Sequence, residues 1–421
     1  MWKTLENRGL RYVFAANMIS MLGSGLNAAG VTWYILQTTH SEVNLSLLVV
    51  LQTLPAMLLM GFSGVVIDRE DRRHLVMLLD IGRAAVILCV AILALMHRAE
   101  LWHLYLMNTL VALGFWMFWP TITALIQELT PGAEFVQSNT VLMAGVQGGW
   151  LIAGAIVGFL YNHIGLGGVL LIDVGTYVVS FLLYFGVRNG RHVVEHPAAE
   201  PSSEILPHGA IARFIHELKD GLRYVAHRPA VIMLGISWAL FLGGMMTQGI
   251  ITAPLSDRIL HSGAVGYGWL NGAWGIGAFL SAMYAAKFIK RFSGIATVGL
   301  GMAVLAMGMY VAPFSGIVLI AVGFFFMMGS ARGLAGIALS SGLMELVPKH
   351  MMGRVQNTFF FAGMILQVVL GIAVGLVAHR WSLSGAFAIV ATVYAIAALL
   401  TTLPAKQARH ISDAEATQPT S

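Results

Sequence analysis

Twelve stretches of predominantly apolar residues recur along the chain, at roughly 12–36, 45–67, 75–96, 102–126, 139–160, 168–187, 230–253, 265–286, 294–312, 316–342, 355–378 and 384–402. Each is about as long as the roughly 20 residues a helix needs to cross the hydrocarbon layer. In lipid, backbone polar groups must be satisfied within the segment or by a closed barrel. Barrel strands would show as short alternating segments, whereas these runs are long and continuously apolar, so the pattern predicts an all-α membrane protein. Composition agrees: 58% of residues are hydrophobic and 10% charged, and mean hydropathy is +0.79, against about a quarter charged in soluble domains.

Basic residues set the expected orientation, because short cytoplasmic loops retain Lys and Arg. With the N-terminus inside, nineteen of the 24 cations fall on the cytoplasmic side, Arg98, Arg258 and Arg380 fall outside, and Arg83 and Arg332 lie within spans. Residues 127–138 dissent, carrying Glu128 and Glu134 without a cation. The expectation is a multi-pass membrane protein with both termini cytoplasmic. The net charge of +5 is spread over loops and not gathered on one soluble face, which argues against a nucleic-acid partner. The single cysteine, Cys89, precludes an internal disulfide and a CxxC metal or redox pair, and reads as packing. Span 1 follows Lys3, Arg8 and Arg11 and carries no small-residue cleavage site, so it reads as a retained helix.

Two charged segments repeat. Gly64, Asp68, Arg69, Arg72 and Arg73 are echoed 218 residues later by Ala282, Ala286, Lys287, Lys290 and Arg291. Glu128-Leu-Thr-Pro131 returns 217 residues later as Glu345-Leu-Val-Pro348. Two echoes at nearly one offset point to an internal duplication. The predicted organisation is a six-helix half over 1–187, a linker over 188–229, a second six-helix half over 230–403 and a polar tail over 404–421. The linker holds Pro197, Pro201 and Pro207, then a stretch from Ala210 to Tyr224 that reads as an amphipathic helix lying on the membrane surface or as a plain tether.

The run from Gly64 to Arg73 resembles the loop signature of the major facilitator superfamily, G-x-x-x-D-R/K-x-G-R/K-R/K, with Asp71 where glycine is usual. That resemblance implies twelve helices as two six-helix repeats, with a substrate path near the repeat interface at mid-bilayer. Phe118-Trp-Pro120 through Pro131, Leu171-Ile-Asp173, Glu217 through Pro229, and Val347-Pro348 through Val355 further resemble the drug and siderophore exporter branch that includes macrolide efflux and enterobactin export proteins. The branch's helix 5 motif, G-x-x-x-G-P-x-x-G-G, corresponds to Trp150 through Gly158, in which Gly154 and Gly158 remain and Ala155 replaces the proline. The resemblance implies a secondary exporter of an amphipathic small molecule, a siderophore or a macrolide-like drug, working by alternating access with proton antiport. An importer or a lysolipid flippase of the same fold is the alternative.

The residues carry their own expectations. Arg332 falls mid-span, where a cation is costly and marks a functional site; it would meet an anionic group or form a gate. Asp80 and Arg83, three apart on one helix, share a face and can pair, and with Gly64, Asp68, Arg69, Arg72 and Arg73 they would form the conformational switch. Asp173 is the candidate proton carrier. Asn27, Trp116, Trp119, Trp238, Gln248 and Arg332 are expected in the substrate cavity, since such pockets combine apolar walls with a few polar anchors. No HExxH, GxSxG or Walker A run is present, so neither catalytic residues, nor a metal, nor a cofactor, nor ATP drive is expected. The expected partners are a small-molecule substrate, membrane lipid and H+, acting on a monomer.

Overall fold

A computed structural model describes residues 7–59, 67, 70–130, 134–187 and 210–402. The loop residues Gly64, Asp68 and Arg69 lie outside the described residues, as do the first part of the linker and the tail. Among the described residues every regular element is helical: α1 Arg8–Thr39, α2 Glu42–Leu59, α3 Arg72–Leu95, α4 Leu101–Leu129, α5 Phe135–Tyr184, α6 Ala210–Ala226, α7 Pro229–Pro254, α8 Gly263–Phe292, α9 Gly294–Val311, α10 Val318–Leu346, α11 Lys349–Arg380 and α12 Leu383–Leu400. The chain is a twelve-span, all-α membrane protein. Eleven of these helices supply the spans and α6 is the linker helix.

The twelfth span comes from a division of α5. Gly165 interrupts that helix at φ 64 and ψ −173, a conformation that costs glycine little and other residues much. Two antiparallel spans are thereby joined with almost no loop, where the hydropathy profile places a gap of several residues. At the end of α1, His40 adopts a left-handed φ of 48 and donates its backbone N–H to the Leu36 carbonyl, and α2 begins two residues later.

Two compact units emerge. One gathers Met1–His40, Leu51–Phe214 and Gly263–Gly272; the other gathers Ser41–Val50, Ile215–Ser262 and Ala273–Ser421. The opening turns of α2 therefore belong with the second unit, and those of α8 with the first. In the first unit, buried Leu10, Val13, Met21, Phe118, Ile122, Leu125, Leu142 and Tyr184 form the core between α1, α4 and α5. In the second, α6 rests on the start of α11: Arg354 donates to Asp220 at 3.2 Å, and a Cβ at Gly221 would come within 2.7 Å of the Arg354 carbonyl oxygen. Cys89 sits on the exposed face of α3, so its expected packing role is corrected: it faces outward from the bundle.

Glycines bring α5 and α8 into backbone contact. A Cβ at Gly158 would fall 2.1 Å from the Ala264 carbonyl oxygen, and one at Gly268 would fall 3.0 Å from the Gly158 amide nitrogen. Gly154 faces Asn271 and Gly272, and Gly272 faces Ala155. Both helices thus use small residues four apart, the spacing that lets membrane helices approach most closely. Gly158→Ala should lower stability by about 1–3 kcal/mol through overpacking, whereas Gly323→Ala, where a Cβ meets nothing within 4 Å, should leave it unchanged or raise it. Thermal unfolding followed by tryptophan fluorescence in detergent checks both.

Candidate functional site

The site is built first from the loop cations. Asp71, where the superfamily pattern has glycine, is the N-cap of α3; its carboxylate accepts from the backbone N–H groups of Arg73 and His74 at 3.0 and 3.1 Å. An acid at this position satisfies donors that the first turn would otherwise leave without partners. Arg72 then pairs with Glu128 at the end of α4 at 2.6 Å. Arg73 donates to the Tyr184 carbonyl at 2.8 Å and the Phe185 carbonyl at 3.4 Å. The two arginines tie the start of α3 to the ends of α4 and α5.

Deeper in the same unit, a polar seam runs between α1, α3 and the second half of α5. Asp80 and Arg83 form an ion pair with 0% and 2% of their side chains exposed. Ser180 donates to the second Asp80 oxygen at 2.6 Å. Arg83 also donates to the Leu79 carbonyl at 3.1 Å and the Tyr177 hydroxyl at 3.3 Å, and its guanidinium lies over the Tyr177 and Phe118 rings at 4.4 and 4.9 Å. Room for it comes from Gly114, where a Cβ would lie 3.0 Å from the arginine stem. Tyr177 shares a hydrogen bond with Ser24 at 2.8 Å.

The seam continues to Asp173. Asn27 donates to its carboxylate at 2.7 Å, and Thr176 lies within reach of both its backbone carbonyl and its side chain. Gly23 lets α1 approach, since a Cβ there would fall 2.3 Å from the Asp173 oxygen. Asp173 is fully buried and, among the described residues, forms no ion pair. Two carboxylates and one guanidinium thus share this seam. Ser24, Thr176, Tyr177, Ser180, Gly23 and Gly114 go unnoticed in the sequence, although the spacing of Asn17, Ser20, Ser24 and Asn27 along one stripe of α1 is a legible sign of a polar contact.

The expected cavity residues divide between the two units. Asn27 is 4% exposed and engaged by Asp173, so it serves the seam and not an open wall. Trp116 and Trp119 are half-buried on α4, each edge-on to Phe115. In the second unit, Gln248 is buried at 7%, Trp238 is half-buried, and Arg332 of α10 donates through Nε to the Met245 sulfur of α7 at 3.0 Å. No carboxylate among the described residues stands within ion-pair distance of Arg332. The Tyr394 hydroxyl, buried without a hydrogen-bond partner among the described residues, lies beside Gly244, the residue before Met245.

Residues 13–369 match the Major Facilitator Superfamily, and the chain belongs to that family. Among its relatives, the uncharacterized MFS-type transporter YfiS of Bacillus subtilis is 28% identical, covering 89% of this chain and 88% of its own. The multidrug efflux pump Tap of Mycolicibacterium fortuitum is 23% identical, covering 90% and 94%. Macrolide efflux protein A of Streptococcus pyogenes is 20% identical over 55% of this chain and 54% of its own. The fold matches the crystal structure of the nucleoside transporter NupG with a TM-score of 0.71 at 12% identity, covering 94% of this chain and 98% of that one. The protein is therefore a multi-pass membrane transporter of the facilitator fold.

Removing one partner of a buried ion pair costs about 3–5 kcal/mol because the other charge is stranded. Asp80→Asn and Arg83→Gln should each destabilise the protein on that scale, and the double variant should lose much less than the sum. A double-mutant cycle on thermal or denaturant unfolding in detergent reads the coupling.

Proposed function

We propose that this protein is a proton-coupled exporter of an amphipathic small molecule, with Asp173 as the proton carrier. The observation that carries this reading is the setting of Asp173, fully buried and held by the neutral donors Asn27 and Thr176 beside the Asp80–Arg83 pair. A carboxylate at that depth is costly unless paired, so an excess acid in a seam with one guanidinium is a place for an exchangeable proton. The efflux pumps among its relatives support outward transport. The halves rock about a central site during the cycle, the Asp68–Arg73 loop and the Asp80–Arg83 pair act as the conformational switch, and the protein works as a monomer in the inner membrane with both termini cytoplasmic.

The cargo reading follows from the cavity residues. In the first unit half-buried Trp116 and Trp119 offer apolar surface; in the second, half-buried Trp238 does the same, Gln248 offers an amide, and Arg332 a guanidinium whose Nε donates to a thioether, a weak acceptor. A siderophore or macrolide-like drug with an acidic or strongly accepting group suits this set.

Everted membrane vesicles carrying the protein should accumulate a labelled catecholate siderophore or macrolide when a proton gradient is imposed. Asp173→Asn should abolish gradient-driven accumulation and keep solute exchange in its absence; gradient-driven uptake that survives in this variant overturns the carrier assignment. Arg332→Gln should raise KM about tenfold to a hundredfold, since hydrogen bonds to charged groups contribute about 1.5–3 kcal/mol. Arg332→Lys should recover only part of the loss, because a lysine lacks the planar fork.

A further inference from the structure

The duplication that sets the two halves 217 residues apart extends to helix ends and to one buried tyrosine. Helix α4 runs Leu101–Leu129 and α10 runs Val318–Leu346, so both ends keep that offset. Tyr177, on the second half of α5, recurs at the same offset as Tyr394 on α12, and both are fully buried. In the first unit the tyrosine hydroxyl meets Arg83 and Ser24, and Arg83 has Asp80 as its anion. The matching positions of the second unit hold Leu300 for Arg83, Phe241 for Ser24 and Thr297 for Asp80. The tyrosine has kept none of these neighbours, yet a cation has returned from another helix. Arg332 stands on α10 at the position of Phe115, one residue from the glycine that makes room for Arg83 in the first unit.

We propose that Arg332 and Tyr394 form a carboxylate-binding subsite, in which the carboxylate of an amphipathic anion takes the part that Asp80 plays in the first unit. This subsite rests on the transport reading above and narrows its cargo to an anion. Three features carry the assignment. The first is the Tyr394 hydroxyl, buried without a hydrogen-bond partner among the described residues where the bilayer offers no water in its place. It lies 3.0 Å from where a Cβ of Gly244 would stand, and near enough to Arg332 for the two to act on each other electrostatically. The second is the lone charge of Arg332. Its Nε donates to the Met245 sulfur at 3.0 Å, a weak and uncharged acceptor, and among the described residues its Nη groups meet no acceptor. A cation without an anion is costly at this depth, and the fork of a guanidinium matches a carboxylate with two parallel donors. The third is access: Arg83 is 2% exposed and already paired, whereas Arg332 is only half-buried and keeps a face open to an incoming group. A neutral cargo group would accept the same hydrogen bonds and leave the charge uncompensated.

The test is calorimetric titration of the full chain in lipid nanodiscs, with empty nanodiscs as the baseline. The probes are benzoate, 4-phenylbutyrate and 1-naphthoate, each set against its primary amide. At least one carboxylate should bind about tenfold or more tighter than its amide, the scale of a hydrogen bond to a charged group. Arg332→Gln should remove that preference, and Tyr394→Phe should weaken carboxylate binding about threefold to tenfold without affecting the amides. Met245→Glu sets a carboxylate where the thioether now accepts from Arg332. It should fill the subsite from within and abolish carboxylate binding while unfolding no earlier than the parent on heating; Met245→Gln, of the same shape without the charge, should still bind. Carboxylates that bind no tighter than their amides overturn the proposal, as does a preference that survives in Arg332→Gln or in Met245→Glu. Displacement of the probes by chloride or inorganic phosphate at matching concentration assigns the site to a small inorganic anion and overturns it as well. Binding needs no gradient and no Asp173, so vesicle transport that fails while carboxylates bind refutes the transport reading alone. Gradient-driven transport of a neutral cargo without carboxylate binding refutes the subsite alone.

Discussion

A polar group inside hydrocarbon has no water to fall back on, and the architecture of the first unit follows from meeting that demand at Arg83. Its guanidinium takes a carboxylate from its own helix, a carbonyl one turn back, and a tyrosine hydroxyl and ring from α5. Gly114 on α4 supplies the space. Three helices are thereby fixed around one cation. Because the carboxylate it pairs with also receives Ser180, the register of α3 against the second half of α5 is set by hydrogen bonds that tolerate little sliding. The apolar core between α1, α4 and α5 is less demanding, since side chains of similar volume can exchange there at modest cost.

Sequence reasoning reached the elements whose causes are local. Hydropathy located the spans because each is continuous, and it separated 139–160 from 168–187 although the helix between them breaks at the single residue Gly165. Asp80 and Arg83 were legible as a pair because three residues of helix bring them to one face. Asp71 departed from the superfamily pattern, and its purpose became visible only once the amide groups of Arg73 and His74 were placed against it. The Asp173–Asn27 contact joins residues 146 apart, and His379–Glu42 joins residues 337 apart; no spacing rule reaches that far. Asn27 illustrates the difficulty: an amide in an apolar helix reads as a wall of a cavity or as the partner of a buried acid, and only tertiary structure separates the two.

The internal duplication gives the two units a shared plan that the sequence has partly erased. Lys287, Lys290 and Arg291 echo the cations of the first loop without its aspartate. The opening turns of α2 and of α8, which begin the second span of their respective halves, each pack with the unit that holds most of the other half. Their chemistry has diverged: α2 uses the ion pair of Glu42 with Arg258 beside Gly375, whereas α8 uses glycines against glycines. Only the placement of the exchanged segment has survived, which suits a feature maintained by helix topology and free in its side chains.

The crossing of Gly154 and Gly158 with Gly268 and Gly272 differs in kind from an ordinary helix contact. Ridges of side chains mesh like gear teeth and resist turning, because every degree of rotation must lift one row over another. A crossing made of backbone has no teeth. Its contacts are short-ranged, its surfaces smooth, and a small swivel exchanges one set of peptide neighbours for an equivalent set. Such a joint behaves as a bearing, firm against separation and compliant in rotation.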